Sequence, residues 1–246
     1  MNEEKFNKWF NVFILAGMSV CVVLSCIGKL SQPDARAFLL ILSAFGALMG
    51  VVSTVCSANG SIWTFVFGLI DVLIYSYILF DSKNPSQFIL HAFYMVPMEF
   101  VGFFQWRKKG ADSKKQVKAQ RIGKASEWVK FALIFIGVFA ASSAVSWFIL
   151  WKAGASFTAG KIILDALVTT ANIVAFAMGA FAYMEQWYLW TLVNISSVVL
   201  WTVTLINDPS ASYAIIPLVK YSFYFINGLN GIRIWRKLSA SGPDLA

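Results

Sequence analysis

In the stretch EQWYLWTLVN, residues 185 to 194, Trp187, Trp190 and Asn194 stand three and then four positions apart. On a helix that spacing puts all three side chains on one face. Two indole rings offer flat faces that stack on a cationic ring and attract it, by ~0.5 to 2 kcal/mol or more in a dry site. An asparagine amide both donates and accepts, so it can read an amide or a diol. Hydrocarbon against such a face would strip the amide of its hydrogen bonds at several kcal/mol. The face should therefore look at a polar cavity.

Other positions could line the same cavity. Trp63, Phe67 and Asp71 share a helical face, Tyr224, Asn227 and Asn230 recur at successive threes, and Glu99 and Gln105 lie on a further helix. Ionisable groups inside a membrane are costly and point to function, which singles out Asp71, Glu99, Asp165 and Lys220. Blander roles compete with these. Trp187 could belong to an interfacial aromatic belt, and Asn227 and Asn230 could bond helix to helix for ~0.6 to 2 kcal/mol. His91, the single histidine, is more often structural than a proton relay.

The elements that must position these residues are membrane helices. Apolar residues make up 59% of the chain and charged residues 13%, and the apolar ones arrive in runs too long for a soluble core. Eight spans are expected, near residues 10–28, 37–58, 61–80, 86–106, 128–151, 161–184, 187–206 and 211–235. Each can reach ~30 Å at ~1.5 Å per residue. Alternating polar positions are missing, which argues against a barrel. The first run is too long for a signal peptide and lacks a small-x-small cleavage site. Cys21, Cys26 and Cys56 lie within apolar runs without CxxC spacing and read as reduced packing residues.

Orientation follows from Lys and Arg. The segment from Arg107 to Lys124 holds eight of the twenty basic residues against a single acid, Asp112, and marks a cytoplasmic connector. Alternation then places both termini in the cytoplasm. The net charge of +8 is explained by this topology and by anionic lipid, without nucleic acid.

An internal repeat organises the chain. Laid with Asn59 on Gln186, NGSIWTFVFGLIDVLIYSYILFD aligns with QWYLWTLVNISSVVLWTVTLIND, so that Trp63 meets Trp190 and Asp81 meets Asp208. Two residues further on, MEFVGFFQWRK aligns with NGLNGIRIWRK, which pairs Gly102 with Gly231 and Trp106 with Trp235. In this register Asn194 is matched by Phe67 and Trp187 by Gly60, so the second copy carries most of the recognition. The expected fold is all-α and integral to the membrane, with two parallel three-helix repeats joined by a linker helix and preceded by an extra helix. The parts are residues 1–35, the repeat 36–106, the loop and linker 107–160, the repeat 161–237 and the tail 238–246. Parallel repeats of this kind commonly hold a substrate between them near the midplane. Gly46 with Gly50, and Ala175 with Gly179, supply small-residue contacts, while Pro97 and Pro217 can kink their helices.

No catalytic motif appears: there is no H-E-x-x-H, no G-x-S-x-G and no second histidine, and nothing calls for a cofactor or a metal. A channel or a receptor remains the rival to a carrier. The W-x-x-W-x-x-x-N pattern at Trp187, Trp190 and Asn194, in a chain of three-plus-one-plus-three helices, resembles the bacterial Pnu-type vitamin transporters, above all their nicotinamide riboside branch. NGLNGIRIWRK adds to the likeness, which covers about residues 36 to 237. The resemblance implies a fold similar to the SWEET sugar transporters and a homotrimer in the bacterial inner membrane. It also implies facilitated diffusion of nicotinamide riboside, trapped afterwards by a cytoplasmic riboside kinase. Trp187, Trp190 and Asn194 carry over from the motif as the binding face. Asn227, Gln105, Asn230, Tyr224, Trp63, Asp71 and Glu99 are added from helix faces alone. Thiamine and riboflavin, both flat vitamins, are the alternative cargoes.

Overall fold

The computed structural model describes residues 2–31, 36–81, 85–152, 159–207 and 215–240. Lys83, Asp208 and the end of the tail lie outside the described residues, as do the side chains of Lys161, Asp165 and Pro217. The described residues are helical and form no strand, only an isolated parallel bridge between Gln120 and Tyr183. The helices are α1 (Glu3–Leu30), α2 (Ala37–Ala58), α3 (Trp63–Asp81), α4 (Pro85–Leu90), α5 (Val96–Lys108), α6 (Ala125–Lys152), α7 (Ala159–Ala180), α8 (Gln186–Asn207) and α9 (Ile215–Ala240).

Six stretches among the described residues are long and apolar enough to cross a membrane: α1, α2, α3, Phe88–Lys108, α6 and α8. Of the other two expected spans, α7 has Ala166–Ala180 as its apolar stretch among the described side chains. The last, α9, carries Lys220, Arg233, Arg236 and Lys237. Residues 86–106, expected as one helix, are interrupted by a π-helical turn at His91–Met95. The cause is Pro97, which lacks an N–H and cannot complete the regular ladder. The widened turn absorbs the defect, with Val96 N–H reaching back to the His91 carbonyl. It also aims Tyr94, whose hydroxyl donates to the Ile173 carbonyl on α7 at 2.6 Å.

Glycines let the helices approach closely where the sequence suggested. At Gly46 an added Cβ would stand 2.8 Å from Ile74 of α3, and at Gly50 it would strike the Asp71 carboxylate. α1 starts from the Asn2 cap and lies against both α2 and α9. Its Glu3 carboxylate accepts from Arg233 at 2.8 Å and Lys237 at 2.6 Å, and Asn7 also accepts from Arg233. Most of α6 is exposed, with Ser142 its only buried residue, and Phe131, Phe135 and Val138 pack it against Val174 and Met178 of α7. The exposed apolar side chains of α6 suit contact with lipid.

The hydrogen bonds recur along the chain with a spacing of 122 residues. Gly60 and Ala182 both adopt left-handed backbone, at φ +64° and +60°. Ser61 N–H bonds to the Cys56 carbonyl at 2.9 Å, and Tyr183 N–H to the Met178 carbonyl at 2.8 Å. Trp235 Nε1 donates to the Ser57 carbonyl at 3.0 Å, and Trp106 Nε1 to the Gly179 carbonyl at 2.9 Å. The connector after α5 completes the pattern: Val117 N–H bonds to Gly60 and Gln120 N–H to Ala182, each at 2.9 Å.

This spacing corrects the alignment of α3 with α8 that identity alone suggested. Phe65, and not Gly60, is the counterpart of Trp187. Both press on a glycine one helix away, Gly102 and Gly231, and both meet a tryptophan edge-on, Trp106 at 4.8 Å and Trp235 at 6.1 Å. The counterpart of Trp190 is then Gly68 and that of Asn194 is Val72. In the third helices the pairing of Trp106 with Trp235 stands unchanged.

Candidate substrate-binding cavity

Between α2, α3 and α5 on one side and α7, α8 and α9 on the other lies a cavity of about 570 Å³. Its lining includes Trp187, Trp190, Asn194, Tyr224, Asp71 and Glu99, six of the ten positions inferred from sequence. They converge although they come from α8, α9, α3 and α5. Asn194 is 6% exposed, and among the described residues its side chain makes no bond to a neighbour. Trp187 is 4% exposed, and its ring is so close to α9 that a Cβ on Gly231 would lie 2.7 Å from it. Its Nε1 is buried without a partner. Trp190 is only partly buried and lines the cavity.

The other four positions lie away from the lining. Trp63 is 44% exposed and pairs with Phe67 at 6.5 Å, because the corrected spacing gives the inward place on α3 to Phe65. Asn227 is fully buried and donates to the Thr54 carbonyl at 3.2 Å, tying α9 to α2. Asn230 accepts from Arg233 at 3.1 and 2.8 Å, in the cluster that anchors α1. Gln105, half-buried one position before Trp106, is displaced from the cavity because Trp106 takes the inward place. The helix-to-helix reading matches the contact of Asn227, whereas Asn230 bonds within α9 itself.

Gln186 was missed. It lines the cavity at 2% exposure, its Nε2 is buried without a partner, and Gly179 makes room for its Oε1. The signal was in the spacing, since Gln186 precedes Trp190 by four and Asn194 by eight, one more helical face. Lys220 also borders the cavity, its ammonium 5.4 Å from the Tyr224 ring centroid. His91 contributes at the same end, edge-on to Tyr75 at 4.8 Å. No group of three or more metal-ligating side chains occurs among the described residues.

A bundle of apolar helices long enough to span a membrane, around a polar and aromatic cavity, has the architecture of a multi-pass membrane transporter. The sequence pattern of the family described as "Nicotinamide mononucleotide transporter" matches residues 40–237, and the chain belongs to that family. It is 30% identical to the nicotinamide riboside transporter PnuC of Neisseria mucosa over 201 residues, 80% of this chain and 72% of that one. With the Haemophilus influenzae protein of the same name it shares 26% identity, covering 96% and 95% of the two chains. A solved structure titled "Crystal structure of the Vitamin B3 transporter PnuC" superposes with a TM-score of 0.65 at 27% identity, over 94% of this chain and 92% of that one.

Proposed function

We propose that the protein carries nicotinamide riboside across the bacterial inner membrane by facilitated diffusion. The observation that carries this reading is the face formed by Trp187, Trp190 and Asn194, which the fold turns into the cavity. The relatives' names give the cargo its identity, and the chemistry of the face agrees with them. Indole faces attract the cationic pyridinium ring. Asn194 and Gln186 can each donate to and accept from the carboxamide or the ribose hydroxyls. Tyr224, Asp71 and Glu99 complete the lining.

In this reading α7 and α9 are also spans, giving eight, and α2 to α5 and α7 to α9 are parallel SWEET-like repeats about a pseudo-two-fold axis, with α6 as linker and α1 as the added helix. The recurring hydrogen bonds support it. Both termini and the connector face the cytoplasm, supported by the basic residues of the connector. The protein works as a homotrimer, and a cytoplasmic riboside kinase retains what it delivers.

Calorimetry on the purified protein with nicotinamide riboside, nicotinamide mononucleotide, thiamine and riboflavin tests the cargo. The riboside should bind most tightly. Binding of thiamine or riboflavin alone would overturn the assignment.

A further inference from the structure

We infer that the Glu99 carboxylate is the counter-ion that selects a fixed positive charge on the ligand, resting on the riboside reading above. Glu99 is 5% exposed, yet it borders the cavity and makes no hydrogen bond or ion pair to any described residue. A buried acid in a membrane helix is expensive to keep, so a side chain left without a protein partner is available to a ligand.

Its place is built by a glycine. A Cβ on Gly68 of α3 would lie 2.5 Å from Glu99 Oε1, so the carboxyl group rests where any larger residue would stand. The second half of the molecule differs: a Cβ on Gly228 of α9 would meet Thr191 and Asn194 at 3.7 and 3.9 Å, not a packed carboxyl group. By the 122-residue spacing Trp190 occupies the place of Gly68, and by the Trp106–Trp235 pairing Gly228 occupies the place of Glu99. The two halves thus present a carboxylate, on Glu99, and an indole face, on Trp190, to one cavity. A cationic aromatic ring is the ligand chemistry that uses both.

The charges of the lining lead to the same ligand. Among the described residues the carboxylates are Asp71 and Glu99, and Lys220 is the ammonium. Lys220 lies within electrostatic reach of Asp71 and of the Tyr224 and Tyr221 rings. The lining thus holds two carboxylates, within electrostatic reach of each other, against one ammonium, and the excess is left to match a charge that the ligand brings. The same carboxylate would repel a phosphate ester, which gives discrimination by repulsion as well as attraction.

The test compares two ribosides of nearly equal shape, the pyridinium cation and its neutral dihydro form, by calorimetry on wild-type protein and on Glu99→Gln. Wild type should prefer the cation by about ten-fold or more, and Glu99→Gln should bring the two affinities within about two-fold by weakening the cation alone. Equal loss for both ribosides would mark Glu99 as structural and overturn the inference. So would a wild-type protein that binds the neutral form as tightly, whatever becomes of the variant. If thiamine, also a cation, proved to be the ligand, the riboside assignment would fall while Glu99 would stand only if Glu99→Gln weakened thiamine. Binding of riboflavin alone would overturn both.

Discussion

Trp187 and Trp190 are near neighbours on one helix with different physical situations. Trp187 is wedged against Gly231 and Trp235, so its truncation removes core packing, which costs about 3–5 kcal/mol for a buried tryptophan. Trp190 and Asn194 offer the cavity a ring face and an amide. Trp190→Ala and Asn194→Ala should each weaken riboside binding by about ten-fold or more, a loss of ~1.4 kcal/mol, while the protein stays folded. Calorimetry paired with thermal unfolding in detergent checks both halves of this expectation. Unchanged affinity in both variants would return the motif to the membrane interface. At this scale the types and spacing of the residues were sufficient for Trp187, Trp190 and Asn194, because residues three and four apart on a helix must share a face. They were insufficient for Asn227 and Asn230, because an amide that reads a ligand and an amide that bonds Thr54 or Arg233 look alike in sequence.

Among the elements, the end of the bundle nearest the connector is held by matched parts. Trp106 on α5 reaches across to α7, and Trp235 on α9 reaches across to α2. Around them pack Phe65, Ile62, Met184 and Trp187, together with Val117 and Ala119 of the connector. The connector bonds to the turn at Gly60 and then to the turn at Ala182, with Met184 N–H returning to the Gln120 carbonyl at 2.9 Å. Lys109 adds a bond from its ammonium to the Phe181 carbonyl at 2.6 Å. Replacing either tryptophan by phenylalanine deletes one N–H, while the carbonyls keep their bonds from Gly60 and Ala182 N–H at 3.0 and 2.9 Å, a net loss of about 0.5–1.5 kcal/mol. Trp106→Phe and Trp235→Phe should therefore lower the melting temperature in detergent, by similar amounts. A drop in one variant only would show that the two bonds are not equivalent. The helices themselves were legible from apolar runs, but the π-helical turn was not. Pro97 announced a defect without saying whether a kink or a wider turn would absorb it.

As a whole molecule, the protein is a cavity enclosed by two halves tied together at one end, and that architecture makes a carrier prediction. In reconstituted vesicles, uptake of labelled nicotinamide riboside should saturate, be accelerated by unlabelled riboside inside, and persist when proton and sodium gradients are collapsed. Linear flux without competition would reveal a pore. The sequence by itself determined that the chain is a helical membrane protein and that Trp187, Trp190 and Asn194 share a face. Hydrophobic run length and helical period are local properties, and a chain carries them wherever it folds. Only the tertiary structure decided the register between the halves and which polar groups remain free. Weak identity placed Trp63 on Trp190, whereas packing sets Gly68 in that position and lets Glu99 rest against it. Register is fixed by which side chains can interpenetrate across helices, and that is a relation between distant residues that no single segment contains.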